Sequence, residues 1–181
     1  MEIHPEFSIP ILYNNLDEEV ANDIELLLTP RLPNLSKPKD QTQLSDFDHS
    51  EKIFNIYRET PILVQEIKKS VEHFSENWGI KPPSNLEYWV QDYKNNDYHT
   101  RHNHPLSLIS GVYWIRANKH ASNFRIFSPN PYDSFPIEFN HSFTDIQPNK
   151  GLLILFPSYL YHEVLVNNIN SIRTTIAFNL K

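Results

Sequence analysis

Several features are absent from this chain of 181 residues, and each absence narrows its function. There is no cysteine, so the chain has neither a disulfide framework nor thiolate chemistry. Its three glycines lie far apart, which excludes the glycine-rich loops that bind dinucleotides or phosphates. No apolar run approaches the ~20 residues of a membrane span, and the N-terminus lacks the basic and apolar regions of a signal peptide. We therefore expect a protein of the cytoplasm with no membrane partner.

The residues that are present indicate a folded protein of acidic character. Hydrophobic residues make up 39% of the chain and aromatic residues 13%, which is enough for a packed core. The formal net charge of −6 gives no strong nucleic-acid signal. The length fits a single domain, 1–181, with a helical support region at 1–84 and a β-barrel core at 85–181. The sequence leaves open whether the protein forms a homodimer.

The first 84 residues have helical patterns. Apolar residues recur at helical spacing from 16 to 28, and Asn15 has the capping-box pattern of a helix start. A second helix is predicted from Thr60-Pro61 to Trp78, because proline favours the first helical position and Gly79 is a natural stop. The polar stretch 31–50 between them is predicted to be a loop. A plain surface connection is favoured there over a lid that covers a substrate.

From residue 85 onward the pattern changes to short strands. Alternating or continuous apolar residues predict strands at 86–93, 106–115, 124–127, 137–143, 152–156, 161–166 and 172–180, in addition to a short one at 7–12. At least seven strands preceded by two helices fit a closed or sandwiched β architecture. On the last strand, alternation places Arg173, Thr175 and Asn179 on the face opposite Ile176 and Phe178.

Three histidines form a candidate metal site. Residues i and i+2 of an extended strand point to the same side, so His102 and His104 can offer two imidazoles to one ion. Imidazole suits iron, zinc, copper and nickel. His162 is the best candidate for a third ligand, because it follows a buried strand and a Pro-Ser turn. One H-x-H pair is a weak motif, so loop histidines without a metal are the alternative.

The sequence allows two environments for each of two further side chains. Simple alternation places His99 on the opposite side of the chain from His102, so we expect a histidine at the rim or surface, with substrate contact as the alternative. Arg173 stands among small and polar residues on its strand face. It is either an ordinary solvent-facing residue or a clamp for a carboxylate, since guanidinium and carboxylate pair bidentately.

Four motifs in this order resemble the iron(II)- and 2-oxoglutarate-dependent oxygenases, and more narrowly the oxygenase family found in marine bacteria and their phages. The motifs are HNHP from His102, SGVYW from Ser110, the stretch from Gly151 to His162 that contains FPS, and the stretch from Arg173 to Asn179. The resemblance covers about the C-terminal half of the chain, 87–180.

The resemblance implies a fold and a set of ligands. The fold would be a double-stranded β-helix, a jelly-roll or cupin-like barrel with two helices packed on the outside. His102, His104 and His162 would hold Fe(II), with O2 and 2-oxoglutarate as co-substrates. Arg173 would pair with the distal carboxylate of 2-oxoglutarate, assisted by Thr175 and Trp114. The reaction would be a hydroxylation that releases succinate and CO2, in the host cytoplasm if a phage encodes the protein. Candidates for the surroundings of the metal or the pocket wall are Asn103, Tyr113, Asn179 and His99.

The sequence departs from the superfamily at the second metal ligand. Most members have a carboxylate where this chain has His104; Asp97 and Glu163 are the other carboxylates near the motifs. The second departure is Trp114, where the family often has tyrosine. Two alternative functions stay open: a cupin-like three-histidine metalloprotein that does not use 2-oxoglutarate, and a catalytically inactive binding module. The substrate, whether a small molecule, a protein side chain or a nucleobase, is not readable from the sequence.

Overall fold

The computed structural model describes residues 9–35, 44–45, 54–130, 142–168 and 170–181. Its helices are α1 (Glu18–Leu28), α2 (Ile56–Glu59) and α3 (Pro61–Trp78), with a 3-10 helix at Thr29–Asn34. Its strands are β1 (Leu12–Asn15), β2 (Leu44–Ser45), β3 (Leu86–Tyr93), β4 (His99–His102), β5 (Ile109–Ala117), β6 (Phe124–Phe127), β7 (Phe143–Ile146), β8 (Leu152–Pro157), β9 (His162–Val164) and β10 (Arg173–Leu180).

The strands form two antiparallel sheets. The larger sheet has the order β1-β8-β5-β10-β3-β2 and the smaller one has the order β4-β9-β6-β7. Strand β10 lies inside the larger sheet, paired with β3 on one side and β5 on the other. Antiparallel sheets fit the β architecture that the spacing of short apolar runs predicts.

Two buried apolar clusters lie between the helices, the larger sheet and the smaller sheet. Helices α1 and α3 cover one face of the larger sheet, where Ile24 and Ile67 pack with Ile176 and Phe178 of β10 in one buried cluster. The other face of that sheet meets the smaller sheet through a second cluster that contains Trp114, Phe124, Phe156 and Val164. The alternation predicted for the last strand is thus confirmed, and its polar face points toward the space between the sheets.

The predicted helices exist, but the start of the first one is different. Helix α1 is capped by Asp17, whose side chain accepts the backbone N–H of Glu19 at 3.0 Å. Asn15, the predicted cap, belongs to β1 instead. The prediction of the second helix is confirmed: Thr60 precedes it, and Gly79 ends it with a φ of 71°, a left-handed conformation that glycine adopts without strain.

Several strands begin later than the sequence predicts. Strand β1 starts at Leu12, and β5 starts at Ile109 because the preceding residues form a turn in which Ser107 donates to the carbonyl of His104 at 3.1 Å. Strand β7 starts at Phe143, and 137–141 lies outside the described residues.

The predicted loop at 31–50 is described only in part. It begins within the 3-10 helix at Thr29–Asn34 and contains β2, which pairs with β3. The rest of 31–50, apart from Leu35, lies outside the described residues, so a lid there stays a prediction. Across the described ranges, no helix has the length and apolarity to cross a bilayer.

Candidate active site

The three predicted metal ligands converge at one end of the space between the sheets. His102 ends β4 and lies directly opposite His162, which begins β9. His104 lies in the loop after β4, not on the strand as the i, i+2 argument assumes, and its backbone N–H donates to the carbonyl of Ser158 at 2.9 Å. The ring nitrogens that the three histidines offer lie within 4.8 Å of one another. One ion could contact all three.

Hydrogen bonds fix two of the rings in the tautomer that metal binding requires. The Nδ1 atom of His102 lies 2.7 Å from the carbonyl oxygen of Thr100, and that of His162 lies 3.0 Å from the carbonyl oxygen of Leu160. Because a carbonyl oxygen only accepts, the proton is on Nδ1 in both rings and the lone pair is on Nε2. Metal-bound histidines usually donate their second N–H in this way.

The protonation states also suit a metal. Burial, and after it the neighbouring His102, lower the pKa of His104 to about 4. Burial likewise lowers the pKa of His102 and holds that of His162 well below its usual range. All three imidazoles are therefore neutral at neutral pH, which is the form that coordinates a metal ion.

His99 lies on the same side as His102, so the expectation from simple alternation is wrong. In the pairing of β4 with β9, His99 lies opposite Val164 and His102 opposite His162, so three steps on β4 match two on β9. This bulge turns His99 inward, and its ring stacks on that of His102 with centroids 4.0 Å apart and planes 22° apart. His99 lines the cavity beside the metal site.

We expect the metal-free protein to lose stability as the pH falls from about 6.5 to about 4.5. Folding depresses the pKa of His104 to about 4 and that of His99 to about 3, in both cases first by burial. The unfolded chain therefore binds more protons in this range, and each imidazole contributes up to ~1.4 kcal/mol per pH unit. Chemical denaturation at several pH values, with a chelator present to keep the protein metal-free, measures the slope of the free energy of unfolding against pH. Carboxyl groups with a lowered pKa, such as Glu59 and Asp145, change the stability mainly below this pH range.

A matched pair of variants tests whether this pH dependence comes from the histidine cluster. His104→Gln should flatten it, because glutamine does not titrate. His120→Gln is the control for the substitution itself, because His120 is exposed and lies outside the cluster. A slope that His104→Gln leaves unchanged would contradict the assignment.

Neither carboxylate considered as an alternative ligand joins the site. Glu163 follows His162 on β9, points to the outer face and lies 3.7 Å from Arg125. Asp97 accepts the backbone N–H of Lys94 at 2.7 Å within a turn. Among the described residues, the only group with metal-ligand spacing is the set of three histidines.

Arg173 is buried at the other end of the same cavity. Only 1% of its surface is exposed, which excludes the solvent-facing alternative. Its Nη1 donates to the carbonyl of Ser122 at 2.7 Å, and its Cζ lies 5.0 Å from the ring centroid of Tyr93. Its Nε has no hydrogen-bond partner in the described part of the chain. Burial lowers the pKa of Arg173 to about 10, so it is still a cation at neutral pH.

Two further donors near Arg173 lack partners. The Thr175 hydroxyl and the indole N–H of Trp114 are buried, and neither has a hydrogen-bond partner within the described ranges. The two residues are paired across β10 and β5. Thr175 lines the cavity, whereas Trp114 packs behind it, 5.7 Å from Cζ of Arg173 and against the ring of Phe124. Buried donors without acceptors are costly, so a carboxylate accepting from Arg173 and Thr175 fits this end.

The cavity thus has a metal-binding end, a cationic end and apolar walls between them. The walls include Trp89, Val112, Phe124, Phe156, Val164 and Ala177, and its described lining contains no carboxylate. A larger cavity of 560 Å³ lies between β1 and α3, and none of His102, His104 and His162 lines it. We assign the chemistry to the smaller one, because the ligand atoms and the unpaired donors converge there.

The remaining predicted residues are divided between the site and its supports. Asn103 donates to the carbonyl of Tyr159 at 3.2 Å, and Asn179 accepts from the hydroxyl of Ser110 at 2.7 Å, so both hold neighbouring segments. Tyr113 lies on the opposite face of β5, in the cluster under the helices. It is not part of the pocket wall, because alternation on β5 turns Trp114, not Tyr113, toward the smaller sheet.

Five residues near the site were not singled out from the sequence. Trp89, Gln91 and Tyr93 line the cavity from β3, and alternation along that strand could have identified them as one face. Asn167 accepts the N–H and hydroxyl of Ser122, both at 3.2 Å, and donates to the carbonyl of Tyr93 at 3.2 Å. Asn167 thereby holds Ser122, whose carbonyl accepts from Arg173. Asn167 and Ser122 lie in loops, where no periodic pattern in the sequence indicates their role.

Comparison with known proteins agrees with this geometry. The model of a family described as "Putative 2OG-Fe(II) oxygenase" matches residues 87–179. No curated protein matches the chain.

Solved structures are similar over nearly the whole chain. A prolyl-4-hydroxylase of Pseudomonas putida has a TM-score of 0.69 at 12% identity, over 96% of this chain and 94% of that one. A viral collagen prolyl hydroxylase of Paramecium Bursaria Chlorella virus-1 has 0.59 at 15% identity, over 94% and 96%. The epimerase SnoN of nogalamycin biosynthesis has 0.64 at 9% identity, over 96% and 79%. The predicted double-stranded β-helix with helices outside is confirmed.

Proposed function

Since the chain belongs to the family of 2OG-Fe(II) oxygenases, we propose that His102, His104 and His162 bind its iron(II), and that Arg173 and Thr175 bind the distal carboxylate of its 2-oxoglutarate. The protein is thus an oxidoreductase that uses iron(II), 2-oxoglutarate and O2. The observation that carries the residue assignment is the convergence of three neutral imidazoles and one buried guanidinium on a single cavity.

When bound, iron(II) and 2-oxoglutarate would supply the reactive chemistry, which is activation of O2 with release of succinate and CO2. The protein supplies positions and surroundings. The carbonyls of Thr100 and Leu160 hold two imidazoles with Nε2 free for the metal. Ser122 leaves the Nε of Arg173 available to a carboxylate. Apolar walls exclude water and strengthen the charge interactions inside.

The charges in the cavity support a dianionic co-substrate. Three neutral imidazoles leave the ion's two positive charges uncompensated, and Arg173 adds a third. No carboxylate in the described lining offsets them. The dianion 2-oxoglutarate would neutralise most of this charge, and the site is more cationic than one whose second ligand is a carboxylate.

We propose hydroxylation of a C–H bond as the reaction type. The fold is shared with prolyl hydroxylases but also with an epimerase, so it does not select the reaction. Peptidyl proline is a reasonable first substrate to test; small molecules, other protein side chains and nucleobases follow. The lack of cysteine supports action in a reducing cytoplasm, that of the host if a phage encodes the protein. A homodimer stays a prediction.

We expect Mn(II) and 2-oxoglutarate together to raise the melting temperature by about 5–10 °C when 2-oxoglutarate is at ~100 times its Kd. Mn(II) replaces iron so that no turnover occurs. The matched control ligand is 2-oxopentanoate, which has the same chain length without the distal carboxylate. It should give a much smaller shift, because it leaves Arg173 and Thr175 unpaired. Differential scanning fluorimetry measures all combinations.

The outcomes separate the alternative functions. A response to metal but not to 2-oxoglutarate would favour the three-histidine metalloprotein that does not use this co-substrate. No response to any metal would favour the inactive binding module. With iron(II) in air, formation of succinate from 2-oxoglutarate completes the test of turnover.

A further inference from the structure

A buried chain of hydrogen bonds lies next to the metal-binding end and includes none of its ligands. Ser110 on β5 lies 2.8 Å from the hydroxyl oxygen of Ser158 and 2.7 Å from Oδ1 of Asn179 on β10. The exposed fractions of Ser110, Ser158 and Asn179 are 2%, 0% and 6%, so water competes little for these bonds. The chain links positions 69 residues apart in the sequence.

The chemistry of the three groups fixes the direction of this chain. A hydroxyl has a single proton, and the Oδ1 atom of Asn179 only accepts. Ser110 therefore donates to Asn179, and the hydroxyl of Ser158 donates to Ser110. Because Ser110 and Asn179 are paired directly across β5 and β10, the chain fastens Ser158 to two inner strands of the larger sheet.

The backbone of Ser158 in turn holds the loop that carries His104. Its carbonyl accepts the N–H of His104 at 2.9 Å, and its N–H donates to the carbonyl of Leu108 at 3.0 Å. Both ends of the loop from His104 to Leu108 are therefore attached to one residue.

The two residues after Ser158 hold the other ligand segments. The carbonyl of Tyr159 accepts from Asn103, which stands between His102 and His104. The carbonyl of Leu160 lies 3.0 Å from Nδ1 of His162. The turn of residues 158–160 thus contacts both segments of chain that carry the metal ligands.

We propose that Ser158 is a positioning residue for the metal centre, acting through its hydrogen bond to Ser110 and from there to Asn179. The bond fixes the turn of residues 158–160, and the turn fixes the spacing between His104 and His162. This inference rests on the proposed function, because it assigns a role toward the metal that the three histidines bind. The serine hydroxyl itself contacts no ligand atom.

The test measures metal binding to the metal-free protein and needs no turnover. Ser158→Ala removes the hydroxyl and keeps every backbone bond of the turn. We expect its affinity for Co(II) to fall about tenfold, as is typical when groups that orient metal ligands are removed. The visible absorption of bound Co(II) should also change, because it depends on the arrangement of the ligands. Ser110→Ala breaks the same chain from the other side and should give the same two changes.

A matched control separates positioning from general destabilisation. Ser75 on α3 is also 0% exposed, and its hydroxyl has no hydrogen-bond partner in the described part of the chain. Ser75→Ala should leave both the Co(II) affinity and the spectrum unchanged. The double variant of Ser158→Ala and Ser110→Ala should bind Co(II) about as weakly as the weaker-binding single variant, because each substitution already breaks the bond between Ser158 and Ser110.

The results distinguish this inference from the proposed function. If the parent protein binds Co(II) and Ser110→Ala and Ser158→Ala bind it with the same affinity and spectrum, the positioning role is overturned and the metal site stands. If the parent protein does not bind Co(II), the proposed function is overturned, and this inference with it. If Ser158→Ala does not fold, the result for Ser110→Ala decides.

Discussion

Replacing Arg173 with leucine is expected to weaken 2-oxoglutarate binding about 100- to 1,000-fold and to leave metal binding in place. The substitution removes a buried cation whose Nε has no partner within the described ranges and which, in our proposal, pairs with a carboxylate. Hydrogen bonds to charged groups contribute about 1.5–3 kcal/mol each, and each 1.4 kcal/mol is tenfold in Kd. Titration of the Mn(II)-loaded protein with 2-oxoglutarate measures the loss.

Two further variants make this result specific. Arg173→Lys keeps the charge but not the forked donor geometry, so its affinity should lie between those of the parent and the leucine variant. Arg125→Leu is the matched control, because Arg125 also forms a bidentate pair, with Asp145 at 2.7 and 2.9 Å, but on the outer face of the smaller sheet. It should bind 2-oxoglutarate like the parent.

Stability gives a second, independent signature of the same residue. Burying a cation without a counter-ion is unfavourable, and in the described residues no carboxylate pairs with Arg173. The melting temperature of ligand-free Arg173→Leu should therefore equal or exceed that of the parent. A normal affinity for 2-oxoglutarate in this variant would refute the clamp, whatever its stability.

Replacing His104 with alanine is expected to lower metal affinity at least ~100-fold and to abolish succinate formation. Two imidazoles remain, and among the described residues no carboxylate lines the site to replace the third. The lost bond is a direct metal contact, so the effect should exceed the about tenfold change expected when only the orientation of a ligand is disturbed. Isothermal titration with Co(II) or Mn(II) gives the affinity.

A carboxylate at position 104 should restore part of the metal affinity. His104→Asp should bind metal more tightly than His104→Ala, because a carboxylate is also an iron ligand and lowers the charge of the site. The exposed His120 provides the control, and His120→Ala should bind metal like the parent. Equal affinities of His104→Ala and the parent would exclude His104 as a ligand.

The parts of the fold that follow strict local periodicity could be predicted from the sequence. Strand β10 pairs with β3 residue by residue from Arg173 to Leu180, so the position of Arg173 on the face away from Phe178 follows from counting residues. The end of α3 follows from one glycine, because Gly79 adopts a left-handed φ that other residues avoid. In both cases the determining interaction lies within a few residues of the sequence.

Predictions failed where an irregularity or a distant partner decides the geometry. The bulge between β4 and β9 places His99 against His102, and it depends on the pairing register with a strand sixty residues away. The support of Arg173 by Ser122 and Asn167 joins two loops, neither of which has a periodic pattern. Residue spacing could place the ligands near one another, but it could not identify the groups that hold them.

The two ends of the site belong to different sheets. His102 and His162 are on the smaller sheet, whereas Arg173 and Thr175 are on the larger one. A metal-chelating molecule that also pairs with Arg173 would brace the two layers against each other. The metal ion and this molecule should then each increase the affinity of the protein for the other by the same factor, as thermodynamic reciprocity requires. Amide hydrogen exchange in β4 and β9 should slow most when both are bound, since opening either layer would require release of the brace.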